Sequence, residues 1–106
     1  MSIGYYVLDE HGEPLPTTSL EAERQLRDGP SRRVAWTDID DKTAVSTVFL
    51  CIDHSFEPND KPVLWETMVR RNGYFNEQWR YSSRAEAEAG HTAVVAWLRG
   101  EGPKPE

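Results

Sequence analysis

The chain has 106 residues, 38% hydrophobic and 10% aromatic, which gives room for one domain with a modest core and too much apolar material for full disorder. Twelve Lys and Arg against 18 Asp and Glu leave a net charge of −6, the wrong sign for a protein that neutralises nucleic-acid phosphates. A single cysteine, Cys51, excludes an internal disulfide framework and cysteine-rich zinc sites; no apolar run reaches the roughly 18–20 residues of a membrane span, and Met1-Ser2-Ile3-Gly4-Tyr5 lacks the start of a signal peptide, so the expected setting is the cytoplasm.

Tyr5-Tyr6-Val7-Leu8 reads as a first strand that stops at the polar cluster Asp9-Glu10-His11-Gly12, and Pro14 and Pro16 forbid a long return strand. Thr18 with Glu21 three residues on has the pattern of a capping box, and Asp28-Gly29-Pro30 stops the helix that follows. Its thin apolar stripe, Leu20, Ala22 and Leu26, places it at the edge of the core. Arg33 to Ile39 predicts a second strand, Asp40-Asp41-Lys42 a turn, and Thr43 to Ile52 a central third strand. Val63–Arg71 and Tyr74–Tyr81 flank Asn72-Gly73, a dipeptide suited to the two positive φ angles of a type I′ hairpin turn. With a two-residue turn, Arg71 faces Tyr74, Arg70 faces Phe75, Met68 faces Glu77 and Glu66 faces Trp79.

Ser83-Arg84-Ala85-Glu86 is a second capping box, and Arg99, Gly100 and Pro103 close the helix it opens. Ala87, His91, Val94, Val95 and Leu98 form its apolar stripe, with a histidine inside it. The expected architecture is a single α+β domain over residues 1–100, a two-layer sandwich. In it a mostly antiparallel sheet of about five strands carries the C-terminal helix on one face, with a short helix after the first strand; residues 101–106 are expected to be a disordered tail.

Asp53 and His54 sit where the central strand runs out into a loop, a place where functional side chains collect. With Glu66 and His91 they offer two imidazoles and two carboxylates, a donor set suited to a metal-dependent hydrolase. Spacing argues the other way: no His-x-His or His-x-x-x-His pair exists, so Asp53 reads as a loop cap and His91 as a hydrogen-bonded core residue. Glu66 lies in an apolar setting, where it either pairs, with His91, Arg84 or Arg80, or acts as a general acid. Cys51 falls in an apolar strand, and neither a Gly-x-Ser-x-Gly elbow nor a phosphate-binding glycine loop is present.

Charge divides unevenly, with a net −7 over residues 1–60 and +1 over 61–106. Arg70, Arg71 and Arg80 are interleaved with Tyr74, Phe75, Trp79 and Tyr81, a combination able to hold a small anionic, stackable ligand such as a nucleotide, or else to cover an exposed sheet with arginine stems.

Val45-Ser46-Thr47-Val48-Phe49-Leu50, Asp53-His54-Ser55-Phe56, Glu66-Thr67-Met68-Val69 and Arg80-Tyr81-Ser82-Ser83-Arg84-Ala85-Glu86-Ala87-Glu88-Ala89-Gly90-His91 together resemble the small uncharacterised proteins encoded by tailed bacteriophages and prophages, especially those of actinobacteria. This chain has Cys51-Ile52 where those proteins often have a glycine before Asp-His. The resemblance implies a phage product acting in the cytoplasm of an infected bacterium, and it brings no reaction, catalytic residue or cofactor with it. The expected function is therefore non-enzymatic: stoichiometric binding of a host or defence protein, or of a small anionic signal, through residues drawn from Asp53, His54, Glu66, Arg70, Arg71, Arg80, Tyr81 and His91. The alternatives are the metal-dependent hydrolase and a structural homodimer joined at a sheet edge. Neither a membrane nor a nucleic acid is an expected partner.

Overall fold

A computed structural model describes residues 4–28, 32–55 and 61–106. The fold is α+β, with six strands in two antiparallel sheets among the described residues. Strands β1 (Tyr5–Leu8) and β2 (Pro14–Thr17) form a short ribbon, followed by helix α1 (Ser19–Asp28). Strands β3 (Arg33–Asp38), β4 (Thr43–Phe49), β5 (Trp65–Arg71) and β6 (Tyr74–Tyr81) pair in sequence order to make the main sheet, and helix α2 (Arg84–Leu98) packs across one of its faces. The first strand thus stays outside the main sheet, which it touches through a bridge between Tyr5 and Ile52.

Local chemistry sets the boundaries. At the β5–β6 turn Asn72 and Gly73 take φ values of 53° and 86°, as a type I′ turn requires. Ser83 caps α2 by accepting from the Glu86 N–H. The same helix ends on Gly100 (φ 75°), with Glu101 N–H donating to the Ala96 carbonyl and Gly100 N–H to that of Trp97, the paired bonds of a Schellman motif. Strand β4 ends at Phe49, short of the expected Ile52. Cys51 swings to φ 65°, and the turn it makes offers its carbonyl to the Tyr6 N–H, which docks the ribbon.

Three further expectations need correction. In α1, Leu20 and Leu26 are 56% and 46% exposed, and only Ala22 enters the core. The helix is held instead by Gln25, whose amide accepts from Leu8 N–H (2.7 Å) and donates to Leu8 C=O (2.8 Å), imitating a neighbouring strand. In the hairpin, a bulge leaves Asn76 without a partner, so that Arg70 faces Phe75 but Val69 already faces Glu77. Beyond it every pairing moves by one residue: Met68 meets Gln78 and Glu66 meets Arg80, not Trp79. The segment after α2 has neither helix nor strand, yet it is tied to the sheet where disorder was expected. Trp79 Nε1 donates to the Pro105 carbonyl (3.0 Å), and Lys104 pairs with Glu77 (2.9 Å).

The core lies between α2 and the inner face of the main sheet, in two apolar clusters. One gathers Phe49, Trp65, Leu64, Cys51 and Ala87 with Tyr5, Tyr6 and Leu8 of the ribbon. The other gathers Val45, Val69, Val94 and Val95 with Trp79 and Trp97. Between them runs a polar belt, described below. No helix among the described residues is long and apolar enough to cross a membrane.

Candidate functional site

Alternation along β4 and β5 sends Val45, Thr47, Phe49, Trp65, Thr67 and Val69 inward, and Ala44, Ser46, Val48, Glu66, Met68 and Arg70 outward. The sequence-derived candidates therefore divide between two faces and a loop. Their positions show which of them can act together.

His91 lies on the inner face. It is 6% exposed, and both ring nitrogens are occupied: Nε2 by the Thr37 hydroxyl at 2.8 Å and Nδ1 by the Thr47 hydroxyl at 2.7 Å. Thr47 in turn bonds Thr67 at 2.6 Å. The belt thus stitches β3, α2, β4 and β5 together. Because every partner of the ring is a hydroxyl, able to donate or accept, either neutral tautomer is satisfied. Burial disfavours the imidazolium and lowers the His91 pKa. Tyr81 stands beside the belt; burial raises its pKa, opposed by the Thr67 hydroxyl. Its phenol lies so close to α2 that only a glycine, Gly90, fits opposite; a Cβ there would overlap the ring. His91 and Tyr81 are accordingly neighbours, as parts of a packed interface.

Asp53 and His54 lie past the end of β4. Asp53 Oδ1 accepts from the Ser55 N–H (2.8 Å) and the Val63 N–H (2.9 Å), and Oδ2 from the Ser55 hydroxyl (3.0 Å). Burial pushes the Asp53 pKa up, but these bonds and nearby His54 outweigh it, so the carboxyl titrates below its ordinary value. The carboxylate thus cross-links the two ends of the loop. His54 contributes its backbone, donating to the Val63 carbonyl. Glu66, on the outer face, is 7% exposed and paired with Arg80 at 2.9 Å. Asp53, His54, Glu66 and His91 do not converge, and among the described residues no three His, Cys, Asp or Glu side chains come together as metal ligands.

The arginines separate as well. Arg70 and Arg80 project outward, while Arg71 projects inward to Glu77 (3.1 Å) and over the Trp97 ring (5.8 Å). They form no common platform for a stacked anion.

The arrangement that does assemble is the outer face itself. No helix or strand among the described residues covers it. Arg33 lies over the Trp36 ring at 5.0 Å, Trp36 Nε1 donates to Asp38 (3.1 Å), and Ser46, Val48 and Met68 occupy the centre beside the Glu66–Arg80 pair. At its turn end the face sinks into a hollow of about 280 Å³, floored by Ala44, walled by Trp36 and Arg70, and rimmed by Asp38, Asp40 and Asp41. The Lys42 N–H donates to Asp40 and holds that carboxyl below its ordinary range.

The chain matches no family model, no curated protein and no solved structure.

Sequence reasoning missed the threonines around His91 and the hollow. Thr37, Thr47 and Thr67 sit in strands where a threonine and a valine serve the backbone equally well. Only their position one step from a helical histidine, a long-range fact, reveals what the hydroxyls do.

Proposed function

We propose that the protein acts by holding a protein partner stoichiometrically on the outer face of its main sheet, as a phage product engaging a host or defence protein in the cytoplasm of the infected bacterium. The observation that supports this is the missing layer: a four-stranded sheet ordinarily buries both faces of its central strands or exposes a uniformly polar one, and this one leaves Trp36, Val48 and Met68 only half-buried among arginine stems. Aromatic, methionine and arginine side chains are those enriched at the centres of protein interfaces. Four strands of about seven residues present a face of roughly 20 by 20 Å, about half the 800 Å² or so that one partner contributes to a standard interface. The hairpin tip, where Phe75 is 51% exposed, and the β3–β4 turn lie beside it and extend the area. The dispersal of Asp53, His54, Glu66 and His91 favours this reading over the hydrolase.

The test compares tagged wild-type protein with Ser46→Arg and Met68→Glu as baits in bacterial lysate, with folding checked by circular dichroism. The expected result is one protein captured at a 1:1 ratio by the wild type and lost from both variants. Equal capture by all three baits refutes the surface. Light scattering that shows a dimer broken by the same substitutions replaces the foreign partner with a second copy of the chain.

A further inference from the structure

The hollow at the turn end of the outer face has a chemistry of its own. Asp38 on β3 pairs across the ladder with Ala44 on β4, and Ala44 pairs with Arg70 on β5. Residues paired in this way point to the same face, so a carboxylate and a guanidinium flank a methyl group, their backbones two strand spacings, roughly 10 Å, apart. The gap exists because residue 44 is alanine; a longer side chain would fill it. Trp36 stands on the same strand face as Asp38 and walls the gap on one side. The side chains of Asp41 and Arg70 make no hydrogen bond or ion pair among the described residues, so their charges are available to a ligand.

We propose that this hollow binds a small zwitterion of the basic amino-acid type, its cationic end held by Asp38, Asp40 and Asp41, its aliphatic stem lying on Trp36 and Ala44, and its carboxylate on Arg70. The charge layout selects the class. A simple anion meets three carboxylates, and a simple cation meets two like charges, Arg70 and Lys42, and leaves both unanswered. In glycine or alanine the two charges lie only about 3 Å apart and do not span the floor, whereas the stem of arginine or lysine carries a further cation roughly 6–7 Å from the carboxylate. An Arg70–carboxylate contact can be bidentate. The hollow opens to solvent, where ion pairs are screened, so the affinity is modest, with a Kd of about 0.1–3 mM. The site needs no protein partner, so it is tested on the isolated chain and stands or falls apart from the docking surface.

The experiment is a titration of 15N-labelled protein with L-arginine, followed by NMR. The Trp36 indole N–H, bonded to Asp38, reports from inside the hollow. A saturable shift of that resonance is expected. Agmatine, which is arginine without its carboxylate, should bind at least about fivefold more weakly, and Arg70→Gln should abolish the difference between the two ligands. Ala44→Leu, which keeps every charge and fills the space, should remove binding. No saturable shift up to about 20 mM L-arginine, equal affinity for agmatine, or an unchanged titration in Ala44→Leu each overturns the proposal. Should Ala44→Leu fail to fold, the Arg70→Gln comparison decides.

Discussion

Thr47→Val is the most informative single change to the fold. Valine has the same shape and β propensity, so packing and backbone are preserved while one hydroxyl disappears. That hydroxyl is fully buried and bonds both His91 Nδ1 (2.7 Å) and Thr67 (2.6 Å). Two net hydrogen bonds at about 1 kcal/mol each are lost, and an imidazole nitrogen is left in an apolar surrounding, adding about 1 kcal/mol, for a total of about 3 kcal/mol. In urea, with a slope of about 1–1.5 kcal/mol/M for a domain of this size, the midpoint should fall by about 2–3 M. Tryptophan fluorescence follows the transition. Thr67→Val alone, which leaves His91 satisfied, should cost about 1–1.5 kcal/mol. The triple variant Thr47→Val, Thr67→Val and His91→Leu makes the centre of the belt apolar, takes partners only from the half-buried Thr37 and Tyr81 hydroxyls, and should recover at least half of the loss. A Thr47→Val midpoint within about 0.5 M of wild type, or a triple variant less stable than Thr47→Val, refutes the idea that the belt's polar atoms depend on one another.

The same histidine gives a pH dependence. Folded His91 has a lowered pKa, so below about 6.5 the unfolded chain takes up a proton that the folded one refuses; stability falls with decreasing pH there, by at most about 1.4 kcal/mol per unit, and His91→Leu should flatten that limb of a urea-midpoint profile. Arg80→Ala strands the buried Glu66 carboxylate and should cost about 2 kcal/mol by thermal or urea unfolding, whereas removing both charges with Glu66→Leu and Arg80→Leu should be nearly neutral. Gly90→Ala, ordinarily worth almost 1 kcal/mol to a helix, should instead destabilise by about 1–3 kcal/mol because its methyl meets the Tyr81 ring; Tyr81→Ala in the same chain should restore the usual sign.

Elements whose ends carry their own signals were legible in the sequence. Asn72-Gly73 fixed the hairpin, Ser83 and Gly100 bounded α2, and the stripe from Ala87 to Leu98 gave the buried face with His91 in it. What was not legible depended on contacts between distant segments. The Asn76 bulge has no local signature, and by shifting the register it turned an apparently awkward Glu66 into the partner of Arg80. Leu20 and Leu26 looked like a core stripe because hydropathy alone does not show that Gln25 docks the helix through a backbone. Asp53 and His54 suggested chemistry by adjacency, and only the position of Val63 ten residues on shows the carboxylate closing a loop.

The chain's lone thiol, Cys51, sits in a left-handed turn with no solvent exposure, at the junction where the ribbon meets the sheet. Burial raises its pKa, against the pull of Arg32, so in the native fold it is both hidden and protonated. A maleimide or disulfide reagent can reach it only after the ribbon lifts or the whole domain opens. Its modification rate is therefore a built-in clock for that opening, readable by mass alone, and comparison with global unfolding will show whether the ribbon detaches first.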